Sequence, residues 1–385
     1  MDEEIEIHGF CDERLTAVKE AFTKNFKVDG DVGASFAATL NGKFIIDIWG
    51  GYTDEAKSRP WEENTIINVY STTKVMTIIC ALMLVDRGLL DLDAPVATYW
   101  PEFARNGKEK ILVRQIFSHS SGLAGWEEKI SVEDLYNWDK VVNLLAAQKP
   151  WWEPGTKSGY HGITHGYLLG ELVRRITGKS LGTFFKEEVA DPLNADFHIG
   201  FGKEHDKRVA DLIPFKAPQE GDLGFGDTDP NSIFNRVFSN PELTTEHIKT
   251  REWRAAEIPA AGGHGNARSI ARIASTIACG GEVDGVRILK TETIKKAMEE
   301  QNYMKDLVLL MPIRWGLGFG IPSKEIPYPS QNTVWWGGAG GSLVVMDLDN
   351  KISLSYVMNQ MKMTTMGDRR TARLIMSLYA GLNKI

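Results

Sequence analysis

A hydroxyl and an amine stand three residues apart in Tyr70-Ser71-Thr72-Thr73-Lys74, which places both on one face of a helix. The pair suits nucleophilic catalysis, because a serine hydroxyl attacks a carbonyl only when a base within hydrogen-bond reach takes its proton. Lysine can be that base once burial or neighbouring charge lowers its pKa enough to leave it neutral. The following residues supply the burial. Over 75–85 only Thr77 interrupts an apolar run, and Gly88 lies just beyond it. A helix apolar all round is buried on every side, and this one falls far short of the roughly 20 residues needed to cross a bilayer. The expectation is a core helix with Ser71 at its first turn, where backbone N–H groups and the positive dipole end favour developing negative charge. Taken alone, Ser-x-x-Lys equally describes a helix N-cap followed by a surface lysine.

Other stretches carry chemistry of their own. Pro154-Gly155-Thr156-Lys157-Ser158-Gly159-Tyr160 is a turn-rich loop preceded by Trp151 and Trp152, with a tyrosine where the loop enters a helix. A phenol with a pKa near 10 is a poor base unless a cation sits close. Trp335-Trp336-Gly337-Gly338-Ala339-Gly340-Gly341-Ser342 places four glycines in one strand region. Glycine there marks close approach of a ligand or another backbone, and strand-edge N–H groups could serve an oxyanion.

Three further motifs read as structural. Gly178-Lys179-Ser180-Leu181-Gly182 matches a nucleophile elbow, but that motif needs a preceding strand. Here Gly178 ends a helix and Ser180 caps the next. His161 and His165 are spaced for a zinc pair, but no glutamate lies between them and no third ligand suggests itself. His264, within Gly262-Gly263-His264-Gly265-Asn266, reads as a hydrogen-bonded structural residue at a loop-to-helix junction.

The elements that must position these residues follow from periodicity and turn chemistry. Residues 10–27 show helical spacing. Runs at 34–40 and 43–49 flank Asn41-Gly42, a strong hairpin signal because both positions tolerate positive φ. Helical patterns dominate 110–310, clearest at 164–176, and Asn266 caps a helix running to about residue 277. Segment 203–255 is irregular, as functional lids and binding loops are. Strand character returns at 333–336, 342–347 and 351–358, before a last helix over 368–382. The fold class is therefore α/β (α+β): an antiparallel sheet built from both chain ends and flanked by helices, with an inserted mostly helical domain. The expected division is 1–90 with 255–385 against 91–254, the irregular part at 203–254 and the active site at the junction.

The 385 residues, 43% hydrophobic and 25% charged, describe an ordinary globular chain. A net charge of -7 without any basic run argues against a nucleic-acid partner. No phosphate loop, dinucleotide fingerprint or spanning segment is present, so no cofactor, metal or membrane is expected. The three cysteines are widely separated and form no metal or disulfide framework. The acidic start lacks the apolar core of a signal peptide. A cytoplasmic setting is expected.

Ser-x-x-Lys at a helix start, a tyrosine loop after Pro-Gly-Thr and a glycine-rich strand near the end, in that order, resemble the serine β-lactamase and penicillin-binding superfamily. The chain is most similar to class C β-lactamase-like esterases, the family VIII carboxylesterases. Supporting stretches are Phe117-Ser118-His119-Ser120-Ser121-Gly122-Leu123, Tyr160-His161, Gly263-His264-Gly265-Asn266-Ala267-Arg268 and Trp336-Gly337-Gly338. The resemblance spans roughly 12–382. It implies Ser71 as nucleophile, Lys74 and Tyr160 as general base and acid, and the N–H groups of Ser71 and Ala339 as oxyanion hole. It also implies Trp336, Gly337, Gly338, Trp126 and His161 at the substrate.

Two departures bear on specificity. Class C enzymes have Tyr-x-Asn where this chain has Gly162, and Lys-Thr-Gly where it has Trp336. Loss of that amide and that cation favours neutral apolar esters over anionic β-lactams. Asn240-Pro241-Glu242-Leu243-Thr244 resembles the class A loop but carries Asn240 at the base position. The expected activity is hydrolysis of small or short-chain acyl esters through a Ser71 acyl-enzyme. The alternatives are a β-lactamase or acyltransferase on the same site, or a non-catalytic ligand-binding member of the fold.

Overall fold

The structure, a computed structural model, describes residues 5–215 and 229–382. The part of the irregular segment over 216–228 lies outside the described residues. In chain order, the elements that matter for the site begin with β1 (Ile7–Cys11), α1 (Thr16–Asp29), β2 (Gly33–Leu40), β3 (Lys43–Gly51), β4 (Ile67–Asn68) and α2 (Thr73–Asp86). Next come α3 (Thr164–Thr177), β5 (Phe197–Ile199), β6 (Gly263–Gly265) and α4 (Ala267–Ala278). The chain closes with β7 (Thr333–Gly337), β8 (Leu343–Asp347), β9 (Ile352–Met358) and α5 (Arg369–Leu382).

The main sheet runs β1-β3-β2-β9-β8-β7, every pair antiparallel. Its two halves meet where β9 pairs β2, from Ile352 opposite Leu40 to Met358 opposite Ala34. The ends of the chain thus share one sheet, as the strand pattern requires. The β2–β3 turn has Asn41 at φ 51 and Gly42 at φ 79, the two positive dihedrals that an Asn-Gly hairpin supplies at least cost.

Both faces of the sheet are covered, which is why β9 is buried throughout. Ser353 Oγ donates to Ala271 O of α4 on one face. Tyr356, on the other, donates to Asp31 and lies under the Arg370 guanidinium of α5. Helices α1 and α5 pack on each other.

Two local readings are corrected. The helical spacing over 10–27 hides an edge strand, β1, and a short turn capped by Asp12 before α1 begins at Thr16. As an exposed edge strand, β1 carries no apolar alternation to betray it. The glycine-rich stretch also divides: β7 stops at Gly337, and residues 338–341 form the hairpin turn into β8, with Gly340 at φ 92 and Gly341 at φ 120.

A second, three-stranded sheet, β4-β6-β5, leads the chain directly to Ser71. Among the described residues, no helix is long and apolar enough to cross a membrane.

Candidate active site

Ser71 sits in a single 3-10 turn, Tyr70–Thr72, that runs straight into α2. The preceding Tyr70 has φ 43, a left-handed conformation that costs a bulky residue energy and is held only where its surroundings over-determine it. Asn68 provides that hold: Oδ1 accepts from Tyr70 N at 3.0 Å and Nδ2 donates to Ala261 O at 3.0 Å. Helix α2 is then pinned along its first turns. Gly263 N donates to Thr73 Oγ1 at 2.9 Å, and Thr77 Oγ1 donates to Pro259 O at 2.6 Å. The one polar interruption in the apolar run is therefore a bolt to segment 259–263.

Lys74 is completely buried. Its Nζ lies 3.0 Å from Ser71 Oγ, 2.6 Å from Gly162 O and 3.1 Å from Ala260 O. It also stands 4.7 Å from the centre of the Tyr160 ring. No ion pair joins it among the described residues, and burial holds its pKa well below the ordinary 10.5. Three acceptors would satisfy an ammonium. A neutral amine, which desolvation favours, has two N–H groups. Given to the two carbonyls, these leave the lone pair facing the serine hydroxyl.

Tyr160 closes the group. Trp336 Nε1–H donates to its hydroxyl across 3.4 Å, and Trp315 stacks parallel to its ring, 6.3 Å away and 3° off parallel. Burial pushes the phenol above its ordinary pKa of 10, while hydrogen bonds with Ser71 and Trp336 pull the other way. Its loop is held from two sides. His119 accepts from Gly159 N through its carbonyl at 3.1 Å and from His161 N through Nδ1 at 3.1 Å. Asp306 accepts from Tyr160 N at 2.9 Å, Ser158 Oγ at 2.6 Å and its own neighbours Val308 N and Leu309 N.

The 338–341 turn backs onto Ser71. Ser342 Oγ donates to Val69 O at 3.0 Å and lies 3.0 Å from Thr72 Oγ1. A side chain at Gly338 would overlap Val69 O, lie 2.5 Å from Ser342 Oγ and come within 3.2 Å of Ser71 N. Gly338 thus marks close approach of another backbone. Gly338→Ala is expected to slow reaction of Ser71 with a fluorophosphonate by about 100-fold, the scale of a 1 Å misplacement. Reaction at the wild-type rate would show that the turn tolerates displacement.

A family model described as Beta-lactamase matches residues 22–376. The chain belongs to the beta-lactamase family. The crystal structure of a family VIII carboxylesterase matches it with a TM-score of 0.92 and 40% identity, covering 98% of this chain and 100% of that one. A penicillin-binding protein homolog from Caulobacter crescentus matches with a TM-score of 0.89 and 36% identity, covering 98% and 100%. The esterase/beta-lactamase LipL of Mycobacterium tuberculosis is 34% identical over 377 residues, 92% of this chain and 83% of that protein.

Within this beta-lactamase-family chain the expected site residues divide. Ser71, Lys74, Tyr160 and Trp336 come together, with Gly337, Gly338 and Ala339 on the adjoining strand end and turn. Trp126 and His161 are engaged by other parts of the fold. Trp126 is buried with Nε1 donating to Val141 O at 3.0 Å. His161 is fully buried with Nε2 on Ser121 Oγ at 2.7 Å and Nδ1 on Gly159 O at 2.7 Å. Burial lowers its pKa to about 3, so it is a neutral strut beneath the tyrosine loop.

Ser180 caps the helix Leu181–Phe185, accepting from Thr183 N and donating to Glu257. Gly178 ends α3 in the left-handed conformation. Asn240 is a staple, donating to Trp126 O and Glu128 O and accepting from Ile130 N. His264 is buried, with Nδ1 2.9 Å from Gly262 O.

Asp306, Trp315 and Asn68 position the site yet escape sequence reading. Each is a lone residue in its segment, and the partners of Asp306 and Asn68 are largely backbone atoms, which have no residue-type signature.

Proposed function

We propose that this chain is a serine carboxylesterase that hydrolyses small or short-chain acyl esters through an acyl-enzyme on Ser71. The observation that carries this reading is the environment of Lys74: an amine fully buried with no ion-pair partner among the described residues, its Nζ 3.0 Å from Ser71 Oγ, 2.6 Å from Gly162 O and 3.1 Å from Ala260 O. A neutral lysine so oriented takes the serine proton as Oγ attacks the ester carbonyl. The carbonyl oxygen, now an oxyanion, is received by the N–H groups of Ser71 and Ala339. Collapse expels the alcohol, protonated from Lys74 through the Tyr160 hydroxyl. Water then attacks the acyl-enzyme with its proton passing to the same pair, releasing the acid and restoring Ser71.

The substrate class follows from the tryptophan. An indole N–H faces the Tyr160 hydroxyl from Trp336, and Gly162 offers no side-chain amide. A site so lined recognises neutral apolar esters and gives an anionic β-lactam no partner for its carboxylate. The kinship with a family VIII carboxylesterase and with the esterase/beta-lactamase LipL supports the ester-hydrolase part of this reading. All three cysteines are unpaired, which fits a reducing cytoplasm.

The test is intact-mass measurement after brief exposure to a fluorophosphonate. One adduct is expected on the wild type and none on Ser71→Ala. An adduct that survives Ser71→Ala moves the nucleophile elsewhere. If the wild type takes no adduct and leaves p-nitrophenyl butyrate untouched above background, the chain is a non-catalytic binder on this fold.

A further inference from the structure

Arg370 stands in the first turn of α5, where the helix dipole disfavours a cation, and its side chain is only 1% exposed. Ionised groups are buried only when their donors are met, and here they are. Nη2 donates to Gly340 O at 2.6 Å and Asp368 Oδ2 at 2.6 Å. Nη1 donates to Asp31 Oδ1 at 2.7 Å and Gln360 O at 2.9 Å. Nε donates to Asp368 at 3.1 Å. Asp31 in turn accepts from Tyr356 OH. This cluster ties the residues before β2 and the start of α5 to the 338–341 turn.

The turn is built to receive the guanidinium. Gly340 is fixed at both backbone groups: its N–H donates to Thr364 O at 2.9 Å, and its carbonyl accepts from Lys362 N at 3.0 Å as well as from Arg370. A side chain at Gly341 would overlap Arg370 Nη2 and lie 2.9 Å from Asp368 Oδ2. Apolar packing of equal volume generally gives as much stability as a buried ion cluster. What the cluster adds is a fixed place for the carbonyl of Gly340, the residue that follows Ala339, two peptide groups beyond the Ala339 N–H.

We infer that Arg370 is a positioning residue that clamps Gly340 and thereby holds the Ala339 N–H where the oxyanion develops. The inference rests on the esterase reading above, and Arg370 itself touches no reacting atom.

The test compares Arg370→Lys with Asp31→Asn in p-nitrophenyl butyrate hydrolysis and thermal melting. Lysine cannot reproduce the guanidinium fork. Arg370→Lys is expected to lower kcat by about 10- to 100-fold with KM within about threefold. Inhibition by butylboronic acid, which adds to serine as a tetrahedral anion, should weaken by a similar factor. Asp31→Asn leaves the bond to Gly340 in place and is expected to lower the melting temperature while keeping kcat.

A kcat within about twofold of wild type in folded Arg370→Lys overturns the clamp, as does a kcat loss that merely tracks melting temperature in both variants. If Arg370→Lys does not fold, Gly341→Ala displaces the guanidinium instead, and unchanged kcat there overturns it equally. Failure of the esterase reading is distinguishable, because wild-type protein would then neither label nor turn over ester.

Discussion

Lys74→Met is expected to reduce kcat/KM for p-nitrophenyl butyrate by about 10³- to 10⁴-fold, the upper range for loss of a general base, and to change how stability depends on pH. Methionine keeps the length and apolar body of the side chain but has no lone pair of useful basicity. The pH effect follows from the desolvation of Lys74, whose folded pKa lies well below the 10.5 of an exposed lysine. Between those two values the unfolded chain holds a proton that the folded chain has released. Stability therefore rises with pH across this window. The destabilisation is fully present below the folded pKa and disappears above 10.5.

Melting curves from pH 6 upward should accordingly show the wild type gaining on Lys74→Met as the solution becomes more alkaline. Parallel curves would mean that Lys74 keeps its proton on folding, and the neutral-base mechanism would go with them. The variant also strands the carbonyls of Gly162 and Ala260, at about 1 kcal/mol for each lost bond. That offset does not change with pH, so the slope rather than the level carries the argument.

Tyr160→Phe should separate esters by leaving group. The phenol is held above its ordinary pKa by burial, so it remains a hydroxyl that can pass a proton at any pH where the enzyme works. An ethoxide needs that proton to depart, whereas p-nitrophenolate is stable without it. The substitution is expected to cost about 10³-fold in kcat for ethyl butyrate, within the range for a proton-transfer group, and about tenfold for p-nitrophenyl butyrate. Phenylalanine retains the stack on Trp315 and the contact with His119, so melting should change little. Equal losses on both esters would remove Tyr160 from the proton path. The wild-type kcat/KM should likewise rise as Lys74 loses its proton and show no fall near pH 10, where an exposed tyrosine ionises.

The parts of this molecule that the sequence announces are those where side-chain type is itself the constraint. The apolar run behind Lys74 forces burial, Asn41-Gly42 forces a hairpin, and Gly338 admits Val69 and Ser71 at close range. Ser180 is read as a cap for the same reason: the missing strand is visible in the residues before it. What stays hidden is set by main-chain atoms or by distant single residues. β4 is two residues long and has no period to detect. The carbonyls of Gly162 and Ala260 that orient Lys74 leave no trace in residue identity. Asp306 lies 146 positions from the tyrosine whose N–H it receives. Trp126 and His161 stand beside motifs that match the family, but proximity in sequence says nothing of what a ring bonds to, and theirs are tied to Val141, Ser121 and Gly159.

The pinning of segment 259–263 along α2 has a consequence for redesign. Gly166 allows that segment to pass against α3, where any larger residue would overlap Ala260 N and lie 2.6 Å from the Pro259 carbonyl carbon. The orientation of Lys74 Nζ toward Ser71 is therefore written into polypeptide routing instead of a replaceable neighbour. Directed evolution confined to pocket side chains could reshape which acids and alcohols fit, yet would leave serine activation where it is. Altering that step calls for loop grafting.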